Sequence, residues 1–175
     1  MDVFEAIEKR HSYRGGFTAQ RIPREHLTRI VQAGIQAPSG CNAQTTSFVM
    51  VDDPDLIARL AAILERPVAR DARAIIVCLA EHRPVYQGMS FGVEDCSAAV
   101  ENMLLAVTAL GYATVWLDGV LRVDGKAKAV ADLLGVPAGK EVRVVLPLGV
   151  PKEPGRQPEK LPFGARAWFN AYTGG

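Results

Sequence analysis

Two short stretches concentrate the side chains able to hold a small molecule. Near the N-terminus, Arg10-His11-Ser12-Tyr13-Arg14 puts two guanidinium groups, an imidazole and a hydroxyl into five residues. Guanidinium is permanently charged and presents a planar fork of donors suited to phosphate or carboxylate, and a serine hydroxyl adds a short donor. The cluster suits one anionic group, although basic residues past a helix end also commonly form a plain solvated face. The second stretch is Ala37-Pro38-Ser39-Gly40-Cys41-Asn42-Ala43-Gln44. Pro38 stops a helix, Gly40 lets the backbone approach a neighbour closely, and Asn42 and Gln44 each offer donors and acceptors. That equipment reads the polar edge of a ligand; a helix end followed by an ordinary turn is the alternative. Cys41 is expected to be the one exposed thiol, yet no neighbouring feature makes it a nucleophile, so no catalytic role is assigned to it.

Other chemistry is thinly supplied. Glu94 and Asp95 open a long helix, where negative charge meets the positive helix end, and stability accounts for them. Glu101 and Asn102 lie further along that helix, with solvent and site equally open to them. His26 and His82 are isolated and read as surface residues. No GxGxxG opens a helix, no GxSxG marks a hydrolase elbow and no HExxH suggests zinc. Gly119 to Ala127 resembles a phosphate loop only superficially, because its spacing is one residue too long and Ala127 replaces the Mg-binding hydroxyl residue. The three cysteines, Cys41, Cys78 and Cys96, show no metal-binding spacing and suit a reducing compartment.

The elements that must position these residues follow from periodicity. Asp2 caps a short helix in which Val3, Phe4 and Ile7 share a face, and this helix delivers Arg10 to Arg14 just past its end. Pro23 starts a second helix carrying Leu27, Ile30, Val31, Gly34 and Ile35, ended by Pro38. A strand over 47–51 leads through Asp53 into a helix with Leu56, Ile57, Leu60 and Leu64 inward, and 74–79 reads as a buried strand. The clearest helix runs from about Gly92 to Leu110, with Gly111 as its stop and an apolar face wide enough for a central element or one pressed on a partner subunit. A strand at 113–117, a helix near 126–134 stopped at Gly135 and a strand at 142–148 complete the order. From Val150 the composition changes to prolines among charges and then to aromatic residues. Phe163, Trp168, Phe169 and Tyr172 imply that this tail docks on a surface, either another subunit's or its own domain's.

Composition narrows the class. The 175 residues fit one domain, which buries roughly 70% of its unfolded surface. With 20 basic against 19 acidic side chains there is no nucleic-acid footprint, so basic residues that matter act locally, in a pocket. The N-terminus carries acids and lacks the apolar run of a signal peptide, and no stretch approaches the roughly 20 apolar residues of a membrane span. A soluble, cytoplasmic protein without membrane attachment is expected.

In this order the pieces resemble the nitroreductase family nearly end to end. RHSYR looks like that family's flavin-binding RxSxR, and QAPSGCNAQ like its APSxxNxQ loop. AVENMLLAVTALGYATVWLDG resembles its core helix running into a Gly-containing strand, and VLPLGVPKEP its closing strand with an LGxP turn. The resemblance implies an α+β fold: a three-layer α/β/α sandwich with a mainly antiparallel central sheet. It also implies one domain over 1–175 whose tail, 150–175, is exchanged onto the partner of a homodimer. By similarity, Arg10 and Ser12, with His11 beside them, hold FMN phosphate and ribityl oxygens, and Arg14 lies toward the pyrimidine edge of the flavin. Pro38, Ser39 and Gly40 come from the partner and line the ring, with Gln44 in the same loop, while Asn42 stays near the ribityl or substrate side. Trp116, Leu117, Asp118 and Gly119 pass the flavin with backbone groups, and Lys160, or alternatively Arg156, completes the phosphate site.

The activity so implied moves electrons from NAD(P)H through FMN to a nitroaromatic, quinone or similar acceptor in ping-pong order. The cofactor carries the chemistry, which agrees with the absence of a catalytic triad or metal site. Two departures, Thr45-Thr46 in place of a common Pro-Trp pair and the lack of a larger helical insertion, bear on substrate specificity rather than flavin binding. The same fold also accommodates an FMN-storage or sensing protein with little turnover, or a flavin reductive dehalogenase or dehydrogenase.

Overall fold

The computed structural model describes residues 1–174. Its centre is β2 (Ala74–Glu81), buried from Ala74 through Ala80 and lying antiparallel between β1 (Thr46–Val51) and β4 (Lys140–Gly149). The short β3 (Ala113–Thr114) completes a four-stranded antiparallel sheet in the order β1-β2-β4-β3. Side chains alternate across a strand, so Ile75, Val77 and Leu79 enter one core while Ala74, Ile76, Cys78 and Ala80 enter another. The first core packs under α3 (Pro54–Leu64), α4 (Pro67–Arg70) and α6 (Lys126–Leu134); the second packs under α2 (Arg24–Ile35) and α5 (Gly92–Ala109). Three layers result, as the sequence leads one to expect.

Two irregularities shape the sheet near the site. The β2–β4 register shifts between Cys78 and Leu79, where Cys78 pairs with Val144 and Leu79 with Val142. Arg143 is therefore the extra residue of a bulge, and Val142 joins Val145 in one core while Val144 remains with Leu146 in the other. The strand expected over 113–117 is reduced to Ala113–Thr114 plus an isolated bridge between Leu117 and Val145. The register is unbroken, but Pro147 stands opposite Val115 and has no N–H to give; its carbonyl instead accepts the Thr114 hydroxyl at 2.8 Å.

The helix ends follow local chemistry. Asp2 and Glu5 form a reciprocal capping box at the start of α1 (Val3–Lys9), and Asp53 accepts from the Leu56 N–H at the start of α3. Gly135 closes α6 in the left-handed conformation, φ 66°. The single turn α4 has no counterpart in the sequence reading, being too short for periodicity to reveal. Along α1 only Ala6 is buried, whereas Val3, Phe4 and Ile7 are 58, 74 and 46% exposed, so the apolar face of this helix is left uncovered by its own chain. Beyond β4 the tail first follows its own domain: the Lys152 N–H donates to the Gly16 carbonyl at 3.0 Å. The Gln157 amide donates to the carbonyls of Ile7 and Arg10 at the end of α1, at 3.1 and 2.7 Å. From there it leaves the surface, and Leu161, Phe163, Phe169 and Tyr172 are all at least two-thirds exposed.

Ile76 is fully buried at the middle of β2 beneath α2 and α5. Ile76→Ala is expected to lower stability by about 2–5 kcal/mol through lost burial and a residual cavity. A denaturant titration checks this, with a lower midpoint at an unchanged slope.

Candidate functional site

The RHSYR segment is extended, and its spacing acquires meaning from that conformation. The Tyr13 N–H donates to the Thr114 carbonyl at 2.8 Å, which lays the segment beside β3. Tyr13 is buried against Phe17, ring centroids 5.4 Å apart, and its hydroxyl donates to the Gly16 carbonyl at 2.8 Å. An extended chain alternates its side chains, so His11 and Tyr13 turn inward while Arg10, Ser12 and Arg14 share the opposite face. His11 is wedged between α1 and the tail. Its Nδ1 lies 2.9 Å from the Lys9 carbonyl, and its buried Nε2, without a hydrogen-bond partner, packs against Gly155. With Gly155 on His11 and Gln157 bonded to the Arg10 carbonyl, Arg156 sits at this cluster; Lys160 lies further along, exposed.

Arg14 borders a cleft of about 510 Å3 together with Trp116, Leu117, Asp118 and Gly119, and with Arg66, Pro67 and Val68 from the start of α4. Two of the sequence-predicted groups, separated by about a hundred residues in the chain, are thus brought together. Leu117 exchanges backbone hydrogen bonds with Val145 at 3.1 and 2.9 Å, which fixes the run alongside β4. The Asp118 carboxylate receives Arg122 at 2.7 and 2.6 Å, with Arg143 at 3.4 Å, so the one acid on the cleft wall is already neutralised. A side chain at Gly119 would meet nothing within 4 Å, which leaves that wall open for another molecule. Arg10 faces α5, its Nε 3.5 Å from the half-exposed Glu101 carboxylate.

The loop Pro38–Gln44 is not on the Arg14 cleft of its own chain. Pro38, Ser39 and Gln44 border a separate cavity of about 60 Å3 with Thr46, Phe48 and Asp95. The loop is strained: Cys41, Asn42 and Gln44 have φ of 51, 52 and 52°, a left-handed region costing a non-glycine residue about 1–2 kcal/mol. What holds it is a residue the sequence reading assigned to helix stability. Asp95, buried in the first turn of α5, accepts from the Gly40 N–H at 2.8 Å and from the Thr45 hydroxyl at 2.5 Å. The Ser39 hydroxyl accepts from the Gln44 N–H at 3.0 Å, and Arg83 donates to the Ala43 carbonyl at 2.6 Å. Gly40 is required by close approach, since any Cβ there would collide with the Phe91 ring. No sequence signal distinguishes Asp95 from an ordinary acid at a helix N-terminus.

The remaining polar residues resolve simply. His26 lies 2.7 Å from the Tyr112 hydroxyl and His82 2.6 Å from a Glu141 carboxylate oxygen, while Asn102 donates to the Ala33 carbonyl at 3.1 Å and ties α5 to α2. Among the described residues no group of three or more His, Cys, Asp or Glu side chains is placed to hold a metal ion, and no helix is long and apolar enough to cross a membrane.

Comparison with known proteins gives consistent relatives. The model of the nitroreductase family matches residues 7–74 and 64–150. A relative from Archaeoglobus fulgidus, provisionally named an NADH dehydrogenase/NAD(P)H nitroreductase, is 35% identical over 138 residues, covering 78% of this chain and 79% of its own. Among solved structures, nitroreductase A from Vibrio parahaemolyticus superposes with a TM-score of 0.84 at 27% identity, over 99% of this chain and 77% of that one. The NADPH:FMN oxidoreductase from Vibrio harveyi, solved with NAD+, gives 0.83 at 26% identity, over 98% and 78% respectively.

Two outcomes follow from the loop. Asp95→Ala removes two acceptor contacts at a buried site and is expected to cost roughly 2–4 kcal/mol, with hydrogen exchange accelerated at Gly40 and its neighbours. Of the three thiols only Cys41 is exposed; burial pushes Cys96 up to about 11 and Cys78 well above the ordinary thiol range. Alkylation of the folded protein near pH 8 is therefore expected to modify Cys41 alone, as read by mass spectrometry, with the other two reacting only on unfolding.

Proposed function

The chain belongs to the nitroreductase family, and from that premise we propose that it is an FMN-dependent NAD(P)H oxidoreductase working as a cytoplasmic homodimer. The observation that carries the proposal is the convergence of Arg14 with Trp116–Gly119 on one cleft, beside an extended segment whose Arg10, Ser12 and Arg14 share a face. These residues fit a flavin mononucleotide. The cleft lies within the size range of small-molecule sites, its only acid is neutralised, and Gly119 leaves one wall free. FMN, when bound, supplies the electron relay, accepting two electrons from NAD(P)H and passing them to a nitroaromatic, quinone or similar acceptor.

The protein's own share is binding and electrostatics. Arg10 and Ser12 supply charge-assisted and neutral donors for a phosphate, with Arg156 or Lys160 as a further cation from the tail. The Arg10–Glu101 contact is long and Glu101 is half-exposed, so exchanging it for phosphate costs little. Arg14 places permanent positive charge on the cleft, where it stabilises negative charge on a reduced ring. Trp116, Leu117, Asp118 and Gly119 form a wall held by the Leu117–Val145 pair, with Asp118 contributing main chain because its carboxylate is already occupied. The loop carrying Pro38, Ser39, Gly40, Asn42 and Gln44 closes the site of the partner subunit, a reading supported by its lining a cavity other than its own chain's cleft and by the uncovered aromatic tail. One open face then serves NAD(P)H and acceptor in turn, which is ping-pong order.

Purified protein is expected to carry about one FMN per chain and to lose its yellow absorbance on anaerobic addition of NADH or NADPH, regaining it with an oxidised acceptor. Protein that stays colourless after reconstitution with FMN would refute the proposal. Arg10→Ala removes a charge-assisted contact worth about 1.5–3 kcal/mol, so FMN affinity should fall roughly ten- to a hundredfold, as measured by flavin fluorescence on titration.

A further inference from the structure

The two ends of α4 border different cavities. Arg66, Pro67 and Val68 line the Arg14 cleft, whereas Arg70, with Ala72 and Arg73 just beyond the helix, lines another of about 450 Å3. Three arginines, Arg21, Arg70 and Arg73, line this second cavity together with the buried Ile22, Ile57 and Ala72. Arg73 is half-buried and fixed, because its Nε donates to the Thr18 carbonyl at 2.6 Å; its terminal nitrogens are the donors left over. Among the described residues none of the three forms an ion pair with a carboxylate.

The nearby acids are turned to other partners. Asp52, the one carboxylate on the lining, is held by Arg24 at 2.6 and 2.9 Å, and those hydrogen bonds, helped by the charge of Arg21, keep it below the usual carboxylate range and ionised. Asp71, between Arg70 and Arg73 in the chain, faces Gly16 with Lys152 beside it. Three like charges gathered around a concavity repel one another, and the one carboxylate on the lining, Asp52, is bonded to Arg24 and offsets them only in part. A bound anion offsets the rest, and the guanidinium fork matches carboxylate and phosphate alike.

We infer that this cavity is a binding site, separate from the Arg14 cleft, for a small organic anion. Its carboxylate or phosphate head sits among Arg21, Arg70 and Arg73, and its compact apolar body rests on Ile22, Ile57 and Ala72. The volume is that of a ligand pocket, and the combination of an apolar floor with a few convergent polar groups is what such pockets share. The inference stands independently of the oxidoreductase reading, since none of these residues borders the Arg14 cleft.

Isothermal titration of the purified, FMN-reconstituted protein with benzoate, phenyl phosphate, inorganic phosphate and benzyl alcohol tests it. Benzoate or phenyl phosphate is expected to bind saturably at one site per chain, at least about tenfold more tightly than neutral benzyl alcohol or bare phosphate. The better of the two identifies the head group. Arg21→Gln combined with Arg70→Gln, both exposed positions that hold no other element in place, should weaken that binding about tenfold or more while flavin content stays unchanged and the unfolding midpoint does not fall. Absence of saturable binding at millimolar concentration, or affinity undiminished in the double variant, would overturn the inference. So would equal affinity for benzyl alcohol or for inorganic phosphate, since either shows that charge and apolar floor do not act together.

Discussion

The site depends on one constraint: residues 10–18 are pinned along the β3–β4 edge, with 10–14 extended. Three contacts do this. The Tyr13 N–H bonds to Thr114, Phe17 fills the space that a side chain at Gly149 would occupy, and the Thr18 N–H donates to Val150 at 2.9 Å. Were this segment helical, side chains at spacing two would point in different directions; extended, Arg10, Ser12 and Arg14 fall on one face. The tail then reinforces the arrangement from behind, with Gly155 on His11 and Gln157 on the carbonyls that α1 leaves open. A cationic face is therefore built from inward-facing aromatic packing rather than from any attraction among the cations themselves.

Much of the fold was legible because its elements are long or buried on both faces. The continuous apolar run of β2, the three-to-four spacing of the apolar face of α3 and the glycine stops after α5 and α6 are strong local signals, and the observed elements fall within a residue or two of them. Legibility fails where the cause is not local. The interruption of the 113–117 strand comes from Pro147, which is far along the chain and becomes relevant only once β3 and β4 pair. The exposure of Val3, Phe4 and Ile7 equally reflects what packs on α1, and a seven-residue helix shows the same stripe whether that face is covered or open.

The candidate site divides along the same line. Arg14 and the 116–119 run were identified through motif resemblance and are joined in space by the sheet. Asp95 does open α5 as its sequence position implies, but its bonds to the loop are invisible locally because they are made by tertiary packing: the first turn of α5 reaches back to the 38–45 loop, fifty or more residues earlier. One carboxylate bonded to both the Gly40 N–H and the Thr45 hydroxyl gives the loop a fixed exit and entrance, and between them Cys41, Asn42 and Gln44 are held in conformations that short isolated segments would abandon. Strain of that kind persists only where surrounding structure determines it from both sides, and its location in a loop of donors and acceptors supports a binding role.

Phe4 and Ile7 on α1, together with Leu161, Phe163, Phe169 and Tyr172 on the tail, are large side chains left open to water by a single chain. Scattered singly such residues need no explanation, but here they belong to two segments that also flank the cationic face, α1 immediately before it and the tail immediately behind it. In the proposed dimer a second protomer covers them, and its strained loop is the proposed complement to the Arg14 cleft. The same residues that make a monomer poorly matched to water thus make the proposed dimer the state in which flavin binding and burial favour each other.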